Sequence, residues 1–595
     1  MKTVPQRLAD LRAAMEKSGC HAYIMPSSDP HASEYAPAHY TAWEYFSGFS
    51  CENANLVVTL QEAALWVDGR FFGAADAALA GTGVASMHMG VKGVPTLSEY
   101  LTEKLQPGQV LGYTAEVMPL SQLRRLEALA KKEGFALSPL PLVDEVWTED
   151  RPALPATPVW LLDTRYAGLS PAEKLTKLRE ALQQQEADAM VVTRLDSVAW
   201  LLNLRAEDID HTPYALAFAY VDMDKAVLFI DCSRVPQEAR DALAQAGISL
   251  EDYQALPGYI GEISQPRTVL FEPGSLNAAL YNALRENPAC TLLEKADPIS
   301  MMKAVKNETE IAATRQAHLS DGAAMVRFQM ELEKRLSNGE ILRETDVDEI
   351  LLRHRSRGEG FLFPSFSTIA AWGPNAAMMH YAPKAGADAQ IGTDGFLLVD
   401  CGGTYYQGTT DITRTYAIGD ISEAHKLAYT RVLRCHIDVA MAVWQAGATG
   451  GELDMLARQP MWRHQLDYRC GTGHSVSHVG AVHEGPHGLR PHNNVAFQPG
   501  MIVTDEPGIY EEGEVGIRVE NELVCVEAGE SQYGRFLKFE PITFCPIDVS
   551  CVLPEELTKE ERQWLNDYHA QVLEKLSPLL TGEEIAWLTT KCAPI

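Results

Sequence analysis

The C-terminal half of this chain carries the feature that most constrains its fold and chemistry. Between residues 396 and 520, four short motifs hold five side chains of metal-ligating type. These residues are Asp400, Asp411, His474, Glu506 and Glu520. Four carboxylates and one imidazole form a hard, oxygen-rich set that suits two divalent ions sharing ligands, and the lack of thiolates disfavours structural zinc. The stretch therefore predicts a dinuclear site of the kind that hydrolyses bonds.

The two aspartates are expected to meet on a β-hairpin. FLLVD predicts a strand that ends in Asp400, and ITRTY predicts a strand that starts after Asp411. The glycine-containing connection between them allows a hairpin, and antiparallel pairing would place both carboxylates on one face. Like charges placed so close repel unless a cation or a shared proton compensates them. The competing interpretation is that each aspartate is only a turn residue.

The two glutamates repeat this arrangement. MIVTDEPG and GIRVENELV predict two strands on either side of a turn at residues 511–513, which makes Glu506 and Glu520 neighbours. Two hairpins that each present a pair of acids are a specific signal for a metal site.

Three histidines are candidates to complete the site, although a single histidine is more often a packed or surface residue. His474 follows Gly471-Thr472-Gly473, a flexible approach that lets a side chain point into a crowded site. His483, in VHEGPH, and His380, in MMHYAP, could hydrogen-bond a substrate or carry a proton.

Charge and composition exclude some functions. The chain has 595 residues, too many for one core, so we expect three or four domains. Its formal net charge of −30 disfavours nucleic acid or an anionic membrane as a partner, because both need a basic surface. No apolar run approaches the ~20 residues needed to cross a bilayer.

The cysteines and the N-terminus indicate a cytoplasmic protein. The eleven cysteines are scattered and include no C-x-x-C pair, which is typical of reduced thiols rather than a disulfide framework. The first twenty residues place Asp10 and Glu16 within an amphipathic helical pattern, so they do not resemble a signal peptide.

An internal repeat predicts two related α/β domains. The helical stripe of Leu8, Leu11 and Met15 recurs 167 residues later as Leu175, Leu178 and Leu182, and the strand-like HAYIM recurs as ADAMVV. KAVLFID likewise repeats EAALWVD. Chance similarity between two amphipathic helices is the alternative, but the whole order of elements recurs.

The remainder of the chain predicts a third domain with a C-terminal extension. Asn307 and Glu310 form a capping signature before a long helix, and the last forty residues predict two amphipathic helices that pack on the domain or form a dimer. The expected division is 1–158, 159–299, 300–540 and 541–595.

The motifs resemble those of the pita-bread metallopeptidases, and specifically the long, three-domain aminopeptidase P type. SSDPHASEY and WVDGRFF are similar to its first domain, and KAVKNETEI is similar to the start of its third. VDCGG, GTTDITRTY, GTGH, VHEGP, EPGIY and GIRVEN are similar to its active site. The resemblance implies an α/β (α+β) fold with two creatinase-like N-terminal domains before a pita-bread catalytic domain.

The same resemblance implies roles for the candidate residues. Asp400 would bind one metal ion, His474 and Glu506 the other, and Asp411 and Glu520 would bridge both. The ions would be Mn(II), with Zn(II) or Co(II) as alternatives, and a hydroxide bridging them would attack the peptide bond before a penultimate proline. Further implied roles are proton relay by Glu506, substrate contact by His380, His483 and Arg70, and a homodimer.

Arg518 stands two residues before Glu520 and so on the same strand face. That position predicts that it orients one of the ligand carboxylates.

The loop around His474 departs from the family pattern HGTGHGVG. Cys470 replaces a histidine, Ser475 and Ser477 replace glycines, and His478 adds an imidazole. Cys470 is either a soft group beside the ligands or a smaller residue where a histidine is dispensable, and we favour the second interpretation.

Two alternative functions stay open. Prolidase, which cleaves Xaa-Pro dipeptides, uses the same catalytic fold, although the first-domain motifs and the C-terminal extension favour aminopeptidase P. A non-catalytic pita-bread protein that binds peptides, or a metal-free creatinase-like enzyme, would lack ligands, whereas all five positions are filled here.

Overall fold

The computed structural model describes residues 2–595, which form two compact units. The first unit comprises residues up to 161, together with 171–210 and 214–298. The second comprises 162–170, 211–213 and 299–595. Among residues 2–595, every helix is too short or too polar to cross a lipid bilayer.

The first part of the first unit is a six-stranded sheet flanked by helices. The sheet order is β4-β3-β2-β1-β5-β6. The elements are α1 Val4–Ser18, β1 Ala22–Pro26, α2 Ala42–Ser47, β2 Asn55–Thr59, β3 Ala63–Val67, α3 Phe72–Leu79, β4 Ala85–His88, α4 Leu97–Lys104, β5 Val110–Tyr113, α5 Leu120–Glu133, β6 Ala136–Pro139 and α6 Leu142–Val146.

The second part builds another six-stranded sheet, in the order β12-β11-β10-β8-β13-β14. Two helices of this stretch of sequence, α7 and α13 from Ile299 onward, belong to the second unit. The elements are β7 Trp160–Leu161, α7 Thr164–Ala167, α8 Pro171–Gln184, β8 Ala189–Val192, α9 Leu195–Leu201, β9 Leu204–Arg205, β10 Phe218–Asp222, β11 Ala226–Phe229, α10 Gln237–Gln245, β12 Ile248–Glu251, α11 Leu256–Gly261, β13 Arg267–Phe271, α12 Ala278–Glu286, β14 Cys290–Glu294 and α13 Pro298–Ala304.

The two sheets confirm the internal repeat. In each, the first strand pairs antiparallel with one neighbour and parallel with the other, and both outermost pairs are parallel. The two helical stripes that the sequence aligned are buried in α1 and α8. Strands β2 and β3, and likewise β10 and β11, pair as antiparallel neighbours. The first 298 residues therefore repeat one α/β design.

The second unit contains the remaining helices and strands, and most of its strands form antiparallel sheets. They are α14 Glu308–Ser337, α15 Glu344–Arg355, β15 Phe361–Pro364, β16 Ile369–Trp372, β17 Gly395–Cys401, β18 Gly403–Tyr405, β19 Gly408–Thr409, β20 Ile412–Ile418, α16 Glu423–Ala440, β21 Val443–Gln445, α17 Gly450–Trp462, β22 Gly473–Ser475, β23 Glu484–Leu489, β24 Ile502–Asp505, β25 Gly508–Glu511, β26 Val515–Arg518, β27 Asn521–Ser531, β28 Gly534–Pro541, α18 Lys559–Leu576 and α19 Gly582–Lys591.

The long helix α14 starts with the capping box that the sequence predicted. The Asn307 side chain accepts a hydrogen bond from the Glu310 amide at 3.0 Å, and the Glu310 carboxylate accepts one from the Asn307 amide at 2.9 Å. These two bonds satisfy amides that the first helical turn leaves unpaired. The helix runs 30 residues, and Met325, Phe328 and Leu332 on its buried side join an apolar cluster with residues of β17 and β20.

Two sheets of this unit carry the candidate ligands. A three-stranded sheet has the order β16-β17-β20, and a six-stranded sheet has the order β21-β28-β27-β24-β22-β23. Helices α14, α16, α18 and α19 contribute to apolar clusters packed around these sheets. The ligand-bearing strand ends therefore lie on a densely packed scaffold.

The C-terminal helices join this scaffold through a buried arginine. Arg414 on β20 is fully buried and donates to the carbonyl oxygens of Cys545 and Pro546 and to the Tyr568 hydroxyl of α18, at 2.7, 3.0 and 3.1 Å. The same guanidinium donates to the main-chain carbonyl of Glu520, the candidate bridging ligand. Helix α18 thus shares an arginine with a strand that presents ligands.

Candidate metal centre

The two aspartates lie on one face of an antiparallel strand pair, as the sequence predicted. Strands β17 and β20 pair with Asp400 opposite Thr413 and Cys401 opposite Ile412. Asp411 stands two residues before Thr413, so its side chain leaves the strand on the same side as Asp400. The connection forms a further small hairpin of β18 and β19.

The two glutamates face each other across the second predicted hairpin. Asp505 pairs with Asn521, and Gly508 pairs with Arg518, so the register between them places Glu506 opposite Glu520. The hydrogen-bond ladder is interrupted at this point. The Glu506 amide donates instead to Thr472 at 2.7 Å and the Glu520 amide to Thr413 at 3.1 Å. These two hydrogen bonds connect the segments that carry the candidate ligands.

His474 on β22 joins the carboxylates. Its Nε2 lies 3.5 Å from Asp411 Oδ2 and 3.5 Å from Glu506 Oε1. Ligand atoms of Asp411, His474 and Glu520 lie within 4.8 Å of one another. The other ring nitrogen, Nδ1, is 3.1 Å from the Ser475 carbonyl. When Nδ1 carries the proton and donates there, Nε2 has a lone pair for a cation.

Glycine brings His474 into place through close approach rather than flexibility. Gly473 has ordinary backbone angles, but a Cβ at this position would overlap the carbonyl oxygen of Thr504. The Thr504 hydroxyl accepts the His474 amide at 2.9 Å. Strand β22 can therefore lie against β24 only because residue 473 has no side chain.

The centre contains buried carboxylate oxygens that no protein donor satisfies. Asp400 Oδ1, Asp411 Oδ1 and Glu520 Oε1 are each buried without a hydrogen-bond partner. An unpaired buried acceptor costs ~1–3 kcal/mol, and more when charged, so three together need an explanation. Oxygen atoms arranged in this way fit divalent cations, which supply the missing partner.

Arg518 holds Asp400, in agreement with its predicted role. Its guanidinium donates to Asp400 Oδ2 and to the Tyr510 hydroxyl, and its Nε donates to Thr413 Oγ1 at 3.0 Å. The Thr413 hydroxyl in turn donates to Glu520 Oε2 at 2.5 Å. One oxygen of Asp400 and one of Glu520 are thereby fixed, and the other oxygen of each stays available.

Burial and mutual repulsion shift the protonation of the ligands. Burial, together with the neighbouring Asp400 and Glu506 carboxylates, raises the pKa of Asp411 to about 7 against the opposing effect of His474. Burial, together with the carboxylates of Asp411, Glu506 and Asp400, raises the pKa of Glu520 well above its usual range. Burial alone would lower the pKa of His474, but Asp411 and Glu506 raise it to about 9. Without cations the cluster therefore holds protons at neutral pH.

The remaining candidate residues differ in their surroundings. The His483 ring packs edge-on against His474, with 4.4 Å between ring centroids. His380 is exposed after β16 and makes no hydrogen bond to any of residues 2–595. Arg70 belongs to the first unit, where its guanidinium pairs with Asp68 at 2.9 Å and Glu52 at 3.0 Å. The substrate roles of all three stay predictions.

The two unusual serines bind a buried glutamate. Ser475 Oγ and Ser477 Oγ donate to the Glu484 carboxylate at 3.3 and 3.1 Å. The same carboxylate pairs with two buried lysines, Lys303 at 2.9 Å and Lys306 at closer range. Sequence analysis missed this cluster. Two signals were visible: the lysines are three residues apart, and a glutamate stands in the VHEGP motif. The serines thus anchor the segment that leads to His483.

The other two departures from the family pattern are also packed. His478 lies 3.0 Å from the Thr314 hydroxyl and 3.1 Å from the Tyr166 carbonyl. The sulfur of Cys470 lies 3.9 Å from the Gly508 carbonyl, and burial raises the pKa of its thiol to about 11. A neutral thiol packed against an apolar cluster agrees with Cys470 as a small filler rather than a soft ligand.

We expect the affinity for divalent cations to rise with pH between about 6 and 8. His474 and Asp411 hold protons in the metal-free protein, and a cation must displace them, so higher pH favours binding. Isothermal titration calorimetry with Mn(II), in buffers of different ionisation enthalpy, measures both the affinity and the protons released. An affinity that stays constant over this range, without proton release, would contradict the assignment.

Comparison with known proteins agrees with this geometry. Residues 7–145 and 150–310 each match the creatinase/prolidase N-terminal domain, and residues 312–527 match the metallopeptidase family M24. Residues 535–595 match the C-terminal region of that peptidase family.

Proteins that are similar to this chain over its full length are named as aminopeptidases P or X-prolyl aminopeptidases. The chain is 37% identical to the "Probable Xaa-Pro aminopeptidase P" of Laccaria bicolor, over 99% of this chain and 93% of that protein. It is 37% identical to "Aminopeptidase P2" of Arabidopsis thaliana, over 100% of this chain and 89% of that protein. The crystal structure of X-prolyl aminopeptidase from Caenorhabditis elegans, described as a cytosolic enzyme with a di-nuclear active site, matches with a TM-score of 0.92 at 34% identity over 100% of both chains. The chain therefore belongs to metallopeptidase family M24, in the long aminopeptidase P branch that its motifs resemble.

Proposed function

We propose that this chain is a metal-dependent Xaa-Pro aminopeptidase, which removes an N-terminal residue that precedes proline. The observation that carries the proposal is the set of three buried, unpartnered carboxylate oxygens beside His474. The full-length similarity to Xaa-Pro aminopeptidases, including one with a di-nuclear active site, supports the same conclusion.

Five side chains would hold two divalent ions. Asp400 would bind one ion, His474 and Glu506 would bind the other, and Asp411 and Glu520 would serve both. Oxygen ligands outnumber nitrogen four to one, which suits Mn(II), with Zn(II) and Co(II) as alternatives. When bound, the two cations lower the pKa of a water molecule and polarise the carbonyl of the scissile bond.

Glu506 is suited to carry a proton to the leaving group. Its side chain is 24% exposed, whereas those of Asp411 and Asp400 are 6% and 11% exposed. The prolyl nitrogen must gain a proton as the peptide bond breaks, so an accessible carboxylate that first accepts a proton from the attacking water can then donate it to this nitrogen. The Thr504 hydroxyl donates to Glu506 Oε1 at 3.2 Å and helps to hold it.

We propose that three further residues contact the substrate. The ring of His483 lies against that of His474, which supports the proposal that His483 hydrogen-bonds the scissile carbonyl. His380 is exposed, and we propose that it contacts a bound peptide. Arg70 is proposed to bind the substrate chain.

We expect the protein loaded with Mn(II) to release Xaa from an Xaa-Pro-Yaa tripeptide and to leave both an Xaa-Pro dipeptide and an Xaa-Ala-Yaa tripeptide intact. Amino-acid release followed by chromatography measures all three reactions under the same conditions. Cleavage of the dipeptide alone would identify a prolidase. Peptide binding without any cleavage would identify a non-catalytic relative.

We also propose that the chain forms a homodimer through the catalytic unit. Four large apolar side chains on α17 and the turn after it are exposed, at 41–54%. They are Met455, Leu456, Trp462 and Leu466. Met455 and Trp462 lie seven residues apart and so share one helix face, where a second copy can cover them.

We expect the double variant Met455→Glu/Trp462→Glu to sediment as a monomer and the unaltered protein to sediment as a dimer, because two buried charges per copy oppose the contact. Analytical ultracentrifugation at micromolar concentration measures both. Tyr533→Glu is the matched control, since Tyr533 is 70% exposed outside this patch. A monomeric unaltered protein, or a dimeric double variant, would contradict the proposal.

We further propose the domain division 1–158, 159–299, 300–540 and 541–595 and a cytoplasmic location. The family matches change at 145–150, 310–312 and 527–535, which supports the division. All eleven cysteines are free, and the Caenorhabditis elegans relative is described as cytosolic. Limited proteolysis tests the boundaries, and cell fractionation tests the location.

A further inference from the structure

A fifth acidic side chain lies beside the metal centre without belonging to the proposed ligand set. Glu522 on β27 follows Glu520 by two residues, and its side chain is 0% exposed. A buried carboxylate is costly unless it is paired or hydrogen-bonded, so its contacts indicate its role.

Glu522 holds the main chain of a proposed bridging ligand. Its Oε1 accepts the backbone amide of Asp411 at 2.7 Å. Two residues away on each strand, Thr413 donates to Glu520. The starts of β20 and β27 therefore meet through two side-chain contacts, one made by Glu520 and one by Glu522.

A histidine from α14 faces the other oxygen of Glu522. His318 Nε2 lies 3.3 Å from Glu522 Oε2, and His318 Nδ1 lies 3.2 Å from the Thr543 hydroxyl. That hydroxyl also accepts the Glu522 amide at 2.8 Å. The four contacts link helix α14, strand β27 and the start of β20, and all of the groups are buried.

Glu522 Oε1 accepts the Asp411 amide, and Glu522 Oε2 makes no hydrogen bond but lies 3.3 Å from the His318 ring. We propose that Glu522, supported by His318, is a positioning residue that fixes Asp411 between the two metal ions. The proposal rests on the metal-dependent function proposed above. Asp411 is the first residue before β20, so its amide has no ladder partner in β17 and needs an acceptor of this kind.

Three variants test this role by metal affinity, measured by isothermal titration calorimetry with Mn(II). Glu522→Leu removes the acceptor of the Asp411 amide, and we expect about 10–100-fold weaker binding, the usual effect of losing a group that orients a ligand. Glu522→Gln keeps an oxygen that can accept a hydrogen bond from this amide, so the Mn(II) affinity of this variant should fall by less than about tenfold. His318→Leu leaves Glu522 unsupported, and we expect roughly tenfold weaker binding.

Asp548→Leu is the matched control. Asp548 accepts the amide of Ala417 on the same strand at 2.9 Å, far along β20 from the ligands. This variant should lower the thermal midpoint of the metal-free protein and leave the Mn(II) affinity unchanged. A purely structural Glu522 would behave in the same way.

The outcomes are distinct. Mn(II) affinity unchanged in both Glu522→Leu and His318→Leu would overturn the proposal, as would equal losses in Glu522→Gln and Glu522→Leu. If Glu522→Leu does not fold, His318→Leu decides the question. If the unaltered protein binds Mn(II) but cleaves no Xaa-Pro-Yaa peptide, the proposed function fails while the affinity series still tests the positioning of Asp411.

Discussion

Electrostatic repulsion among buried carboxylates is the constraint on which the catalytic unit depends. Asp400, Asp411 and Glu520 present oxygens that no protein donor reaches, and Glu506 and Glu522 add two more acids nearby. Arg518 neutralises one of them, by its bond to Asp400. The rest of the charge needs protons or cations, which is why the pKa of Asp411 and of Glu520 is raised in the protein without metal.

The scaffold resists this repulsion by holding the ligand strands through their main chains. The amides of Glu506, Glu520 and Asp411 each bind an acceptor on another segment rather than a ladder partner. Arg414 connects the Glu520 carbonyl to Tyr568 of helix α18. The proposed metal ligands therefore lie where several segments meet, and helices α14 and α18 contribute directly to their placement.

Much of the site could be predicted from sequence because its ligand pairs are local. Antiparallel strands with a period of two residues bring Asp400 to Asp411, and Glu506 to Glu520, within single hairpins. The partners of Glu522 and Glu484 could not be predicted in this way. His318 lies 204 residues before Glu522, and Lys303 and Lys306 precede Glu484 by more than 170, so only the folded chain joins them.

Gly473 shows a second limit of sequence reasoning. The sequence pattern suggested that this glycine provides flexibility before His474. In the structure, the packing of β22 on β24 instead requires a residue without a side chain. His380 is exposed, and its proposed contact with a peptide follows from the resemblance alone rather than from the fold.

The most direct test of the account is the number of Mn(II) ions bound per chain in the unaltered protein and in Asp411→Asn. Equilibrium dialysis followed by elemental analysis gives both numbers, with Asp420→Asn, an exposed residue at the end of the same strand region, as control. The account predicts two ions for the unaltered protein and the control. Asp411→Asn should lose at least one ion and all turnover, because the amide cannot serve as a shared anionic ligand. Two ions bound at unaltered affinity in Asp411→Asn would contradict the central claim.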